Sequence, residues 1–392
     1  MNNYIPYSKQ KISNNDIRSV VKVMKSEMLT QGPLVKILEN KFTKLTNSKF
    51  SVCVNSATSA LHVACMALGF KKNDILWTTP NTFVASSNCA LHLGGRVDFV
   101  DIEYETGNID VSLLEKKLKF AKKKKILPKI VVPVHFAGLP TQQDKIFKLS
   151  KKYKFKIIED ASHSLGANFK NNKVGSCKWS DITVFSLHPV KIITSGEGGV
   201  ATTNNKELYE KMQMFKNHGI TKDKTRFFKR VKNEWYYEQQ HLGLNYRMNE
   251  ISAALGISQL KNLKKFVKER NQIARYYEKN LNKNHLLLPY RNKNYLSSYH
   301  LFIIKIKGKN YKKIQRKLFN FLRKKNFYVQ VHYLPVHLQP YYQKKFKFKV
   351  NSFPNAEKHA KSSVSIPIYP GLSKKNLYKL KNLINNFITS NV

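Results

Sequence analysis

A lysine set between a hydrophobic run and a glycine-rich turn is the first residue here whose surroundings call for chemistry. The segment reads Phe185-Ser186-Leu187-His188-Pro189-Val190-Lys191-Ile192-Ile193-Thr194-Ser195-Gly196-Glu197-Gly198-Gly199. Lysine is rarely buried, because taking its ammonium out of water disfavours the charged form. A partly desolvated lysine has a lowered pKa, and its neutral amine condenses with aldehydes. The glycines that follow let the backbone pass close to a bound ligand. With 70 Lys and Arg residues in the chain, a lone lysine would read as a surface cation. Ser186 and the Gly196–Gly199 turn single out Lys191 as the catalytic candidate.

A carboxylate stands second. Asp160 closes the run Ile157-Ile158-Glu159-Asp160, ahead of Ala161-Ser162-His163-Ser164-Leu165-Gly166. In α/β folds ligands bind outside the carboxyl ends of strands. A carboxylate there can hydrogen-bond a pyridine nitrogen and hold it protonated, which makes the ring an electron sink for a carbanion. Side chains alternate along a strand, so Asp160 is chosen and Glu159 faces away; capping the following helix is the plain alternative. The turn Asn55-Ser56-Ala57-Thr58-Ser59-Ala60-Leu61-His62 opens a helix, whose free N–H groups and positive end suit a phosphate. The Ala57 and Thr58 amides and the Thr58 hydroxyl are the cradle candidates, with an ordinary N-cap as the alternative. Phe83, in Thr82-Phe83-Val84-Ala85, is placed to lie against a ring or to fill the core. In Gly243-Leu244-Asn245-Tyr246-Arg247-Met248, Asn245 and Arg247 either serve structure or reach a phosphate. An aldehyde-binding lysine, a pyridine partner and a phosphate cradle together specify pyridoxal 5'-phosphate as the cofactor.

These residues need a rigid frame. Apolar runs at Ile75–Thr78, Val97–Val100, Ile130–Val134, Lys156–Glu159, Ile182–Ser186 and Gly199–Thr202 have the length and β-branched content of buried strands. Helical patterns lie between them, such as Ser59–Leu68 and Gln143–Tyr153. This alternation predicts a mostly parallel sheet covered on both faces. After about Met248 the pattern changes to a long helix, Glu250 to Leu281, a strand at Leu301–Ile306, a helix near Tyr311–Lys325 and a final helix from Lys374 to Ile388. The expectation is an α/β large domain with an N-terminal arm over residues 1–250 and a smaller α+β domain over 251–392.

Composition limits the function classes. Lys+Arg of 70 against Asp+Glu of 24 gives a formal charge of +46. Such an excess raises the reading of a basic polyanion-binding protein with an inactive fold. The cations are spread as lysines beside asparagines, as in Asn292-Lys293-Asn294, without a nucleic-acid-binding signature, so specific nucleic-acid binding is not expected. A positive field also attracts anionic substrates such as sugar nucleotides. The four cysteines show no CxxC pair, and His and Cys show no metal-ligand spacing. No apolar run reaches the length of a membrane span, and Met1–Pro6 lacks a leader pattern; the expected location is the cytoplasm.

Together these segments resemble the DegT/DnrJ/StrS family of nucleotide-sugar aminotransferases, a branch of the fold-type-I, aspartate aminotransferase-like enzymes. The likeness spans nearly the whole chain. It includes Ile5-Pro6-Tyr7-Ser8, Leu29-Thr30-Gln31-Gly32-Pro33, Asn217-His218-Gly219 and Val331-His332-Tyr333-Leu334-Pro335 beside the segments above. The resemblance implies that Lys191 is the Schiff-base lysine, Asp160 the partner of the pyridine nitrogen and His163 a neighbour of the ring hydroxyl. It also implies that Ser186, Ala57 and Thr58 bind the phosphate, with Asn245 supplied by the second subunit of a homodimer with shared sites. Family members with histidine at the lysine position are dehydratases; Lys191 implies transamination. The nearest branch aminates UDP-linked 4-keto-6-deoxy-N-acetylhexosamines at C4 for pseudaminic acid, with L-glutamate as donor. A 3-keto, dTDP-linked or GDP-linked sugar is the alternative. Asn326 and Tyr328 stand where that branch is expected to carry glycine. His332 and Tyr333 are candidate sugar or nucleotide contacts, with packing as the alternative; His188, Tyr7 and Gln31 complete the candidate substrate set.

Overall fold

The computed structural model describes residues 4–231 and 233–391. Its central sheet has seven strands: β1 (Phe50–Val54), β2 (Ile75–Thr78), β3 (Arg96–Phe99), β4 (Ile130–Val132), β5 (Lys156–Asp160), β6 (Ile182–Ser186) and β7 (Gly199–Thr203). The order across the sheet is β1-β7-β6-β5-β4-β2-β3. From β6 to β3 every pairing is parallel, and β7 runs antiparallel to both its neighbours.

Alternate residues of each strand enter different cores, which is why the runs are apolar throughout. Val132, Ile158, Ile182 and Val184 pack on one face with helix Ala57–Ala67. Val131 and Ile157 face the opposite layer, as do Phe185 and Val200 further along the sheet. The covering helices are amphipathic at helical spacing. Helix Val111–Lys123 buries Leu114, Leu118 and Ala121, and its N-cap Asp110 accepts hydrogen bonds from the Ser112 and Leu113 amides.

A second sheet is antiparallel, with β9 (Phe302–Ile306) between β8 (Leu286–Leu287) and β10 (Ser363–Ile366). Helices Leu263–Asn280, Tyr311–Lys324 and Lys374–Asn391 cover it, packing Tyr277, Leu318 and Ile384 against Phe302 and Ile304. The long helix expected from Glu250 to Leu281 is two helices, Glu250–Leu260 and Leu263–Asn280. At the break the Lys261 and Asn262 amides reach back three residues, to the Ser258 and Gln259 carbonyls. The first helix thereby packs on Asn14–Met24 and Pro33–Thr46 while the second carries Ile273 and Tyr277 into the second sheet's core.

The N-terminal arm joins the two parts. Ile5–Pro6 pairs in parallel with Phe327–Tyr328. Asn326, just before that pair, has φ +66°, a conformation natural to glycine and tolerated by asparagine. Asparagine can therefore stand at this position, where glycine was expected. Next along the arm, the Tyr7 amide donates to the Tyr328 carbonyl, and the Ser8 hydroxyl donates to Val190 O at 2.8 Å, one residue before Lys191.

Candidate active site

The carboxyl ends of the parallel strands and the first residue of β7 meet at one edge of the sheet, since Gly199 pairs with both Val54 and Ser186. A cavity of about 550 Å³ opens there. Lys191 enters it from the loop after β6. That loop is held in shape by its own backbone: Leu187 N–H donates to Gly198 O, Ser195 N–H to Leu187 O and Lys191 N–H to His188 O. Desolvation pushes the Lys191 ammonium down to about 8, against the upward pull of the Asp160 carboxylate. At pH 7 about a tenth of it is therefore the nucleophilic amine, far more than an ordinary lysine would offer.

Asp160 ends β5 and is buried. Its Oδ2 accepts a 2.6 Å hydrogen bond from the Ser86 hydroxyl, and its Oδ1 accepts one from the Ser162 amide at 3.1 Å. Glu159 does turn to the other face, where the Thr183 hydroxyl donates to it at 2.8 Å and Gln143 also holds it. The two neighbouring acids are thus divided by strand alternation into one for the site and one for the interior.

The phosphate candidates fit an anion. Ser56 is the N-cap of helix Ala57–Ala67, and its side chain accepts from the Ser59 amide. The Ala57 and Thr58 amides in the first turn have no protein acceptor among the described residues and border the cavity. Gly199 passes so close that a Cβ there would sit 2.6 Å from the Ala57 nitrogen and closer still to the Ser56 carbonyl. Ser186 lines the same wall. Phe83 lies on the cavity with 59% of its surface exposed, an apolar face ready for a flat ring.

Tyr7, His163, His188, His332 and Tyr333 also line the cavity. The Ala137 amide donates to His163 Nδ1 at 3.3 Å, so the neutral ring carries its proton on Nε2, 3.2 Å from the Tyr333 hydroxyl. Burial keeps that ring neutral, with the Lys191 charge adding to the effect. Burial likewise pushes His332 down to about 3, and its Nδ1 meets the Ser365 hydroxyl at 2.8 Å. His188 sits at the mouth, its Nε2 3.8 Å from the Glu197 carboxylate.

Two expected residues are elsewhere. Gln31 lines a separate cleft with Lys36, Asn217 and Arg247. Asn245 is exposed, bridges to Asn217 and does not line the Lys191 cavity. Conversely, Ser86, Ser56, Glu197 and His300 belong to the site without having been singled out. Ser56 stands in the Asn55–His62 turn and Glu197 in the Gly196–Gly199 turn, and Ser86 is one helical turn beyond Thr82, whose hydroxyl it meets at 2.8 Å. His300 is brought in by Arg270, fully buried, whose Nη1 donates to the Tyr299 and His300 carbonyls.

The mixed α/β fold, with a desolvated lysine and a buried carboxylate at its sheet edge, is that of a fold-type-I aminotransferase. The chain belongs to the DegT/DnrJ/EryC1/StrS aminotransferase family, whose sequence pattern matches residues 10–384. It is 39% identical over 97% of its length to the UDP-4-amino-4,6-dideoxy-N-acetyl-beta-L-altrosamine transaminase of Campylobacter jejuni, of which 96% is covered. The solved Helicobacter pylori aminotransferase involved in pseudaminic acid biosynthesis superposes with a TM-score of 0.89 at 30% identity, covering 99% of this chain and 100% of that one. A Streptococcus pneumoniae protein described as a sugar aminotransferase, solved in its PLP form, superposes with a TM-score of 0.89 at 26% identity over 99% of both chains. Among the described residues no helix is long and apolar enough to cross a membrane.

Proposed function

We propose that this aminotransferase moves an amino group from L-glutamate to the C4 ketone of a UDP-linked 4-keto-6-deoxy-N-acetylhexosamine, in pseudaminic acid synthesis in the cytoplasm. The observation that carries the chemistry is the convergence of Lys191, Asp160 and the free Ala57 and Thr58 amides on one cavity. The choice of sugar rests on the activity named for the Campylobacter jejuni relative.

Pyridoxal 5'-phosphate, when bound, supplies the aldehyde that takes up the amino group and the ring that accepts electrons. Lys191 would hold it through its amine, and that amine, lowered by burial, would move the proton at the donor's Cα. Asp160 holds the ring nitrogen protonated, aimed by Ser86 and the Ser162 amide. The Ala57 and Thr58 amides with the Thr58 and Ser186 hydroxyls bind the phosphate, and Phe83 covers a ring face. His163 stands at the ring hydroxyl, positioned by Tyr333. Tyr7, His188, His332 and Tyr333 form the wall for the sugar nucleotide.

Asn245 and Gln31 fit this account as residues lent to the cavity of a second copy in a homodimer. Phe228, Trp235 and Leu242, all more than three-quarters exposed, lie in the stretch leading to Asn245 and supply apolar surface for such an interface. The test is a panel of UDP-, dTDP- and GDP-linked 3-keto and 4-keto sugars with L-glutamate. The UDP-linked 4-keto compound should give the highest kcat/KM; a clear preference for another sugar would overturn the assignment while leaving transamination in place.

A further inference from the structure

A cavity of about 460 Å³ lies between helix Leu263–Asn280 and the Leu165–Val174 segment, and shares no lining residue with the Lys191 cavity. Its volume is that of a small-molecule site. Leu45, Leu165, Val174, Leu263 and Val267 make its wall apolar, while Lys173, Lys264, Lys268 and Arg275 ring it with cations. Helical spacing produces this division. Leu263 and Val267 stand one turn apart, and Lys264 and Lys268 form the adjoining stripe.

No Asp or Glu lines the cavity, and Lys264, Lys268 and Arg275 form no ion pair among the described residues. Lys173 Nζ donates to the neutral Asn47 side chain at 3.1 Å. At the floor, buried Asn271 has both Nδ2 hydrogens in use, donating to the Val267 and Ser297 carbonyls at 2.9 and 3.0 Å. An apolar hollow with few free hydrogen-bonding groups is a poor host for water. Its four cations favour a negative charge at the rim.

We infer that this cavity binds a single-chain amphiphile with an anionic head, specifically a free long-chain carboxylate, with the tail on Leu263 and Val267 and the head among Lys264, Lys268 and Arg275. This goes beyond the transaminase reading and does not depend on it. The test is calorimetric titration of the purified full-length protein with dodecanoate, kept below its micelle-forming concentration. Dodecanoate should bind one per chain, with dodecyltrimethylammonium weaker by about tenfold or more, and added salt should weaken dodecanoate. Lys264→Glu combined with Lys268→Glu, both at exposed positions, should weaken it by about tenfold or more. Lys191→Ala should bind dodecanoate as the unaltered protein does. Equal affinity for the two head groups, or unchanged affinity in the double variant, would overturn the proposal. Loss of binding in Lys191→Ala would do so too, because it would move the probe to the other cavity.

Discussion

The Ser86 hydroxyl donates a 2.6 Å hydrogen bond to Oδ2 of Asp160, a residue 74 positions further along the chain. Ser86 is fully buried, and its hydroxyl also meets that of Thr82, so the donor is fixed before any ligand arrives. With the Ser162 amide on Oδ1, both carboxylate oxygens are oriented. Ser86 therefore acts as a positioning residue. Removing one hydrogen bond to a charged group costs about 1.5–3 kcal/mol, or roughly ten- to a hundredfold. Ser86→Ala should lower kcat by that factor with KM for the sugar nearly unchanged, and Ser86→Thr should recover part of the loss. An equal rise in KM with kcat intact would show that Ser86 does not work through Asp160.

Gly199 is the point where β7 brushes the Ser56–Ala57 turn. A methyl group there meets the Ser56 carbonyl and the Ala57 nitrogen, both backbone atoms that cannot swing aside. Gly199→Ala should push the first turn of helix Ala57–Ala67 out of place and weaken cofactor binding by about tenfold or more, with a stability loss of about 1–3 kcal/mol. Cofactor titration followed by protein fluorescence measures the first, and urea unfolding the second. Unchanged cofactor affinity would remove the Ala57 and Thr58 amides from the phosphate site.

The Lys191 amine should titrate near 8 in protein stripped of cofactor. Desolvation lowers the value and the Asp160 charge raises it, so Asp160→Asn should move the midpoint further down. The amine is protonated and unreactive below that midpoint, so labelling of Lys191 by an acylating reagent should rise with pH through about 8, and at lower pH in the variant. Peptide mass spectrometry reads both curves. An upward move in Asp160→Asn would contradict the placement of that charge.

The proposed sharing of sites between two copies makes a complementation prediction. Lys191→Ala and Asn245→Ala chains, each nearly inactive alone, form one intact site per mixed dimer when Asn245 serves the partner's cavity. Random mixing should then restore about a quarter of the unaltered activity. No recovery after mixing, with mixed dimers shown by mass spectrometry, would place Asn245 in its own chain's site or outside both.

The frame was legible where strands are β-branched and buried on both sides: Ile75–Thr78 and Ile182–Ser186 have the expected bounds, and Val97–Val100 shifts by one residue. Strand Phe50–Val54 is missing from the expected set, because Ser51 and Cys53 interrupt its apolar run. The two-residue strand Ile5–Pro6 carries no pattern of its own, although it delivers Tyr7. Within the site, Lys191, Asp160 and the Ala57–Thr58 turn each have a local signal. Ser86 and His300 have none, since their roles come from contacts to Asp160 and Arg270 that only the fold creates. The split of helix Glu250–Leu281 was hidden for the same reason, since Lys261 and Asn262 are ordinary helix residues.

The most direct measurement of the central claim is the visible absorption spectrum of the purified protein before and after L-glutamate, with Lys191→Ala alongside. The account predicts a yellow band from cofactor held on Lys191, which bleaches to the near-ultraviolet as the donor's amino group is taken up. The variant should lack that exchange. A protein that stays colourless when pyridoxal 5'-phosphate is supplied, and is unchanged by glutamate, would contradict it.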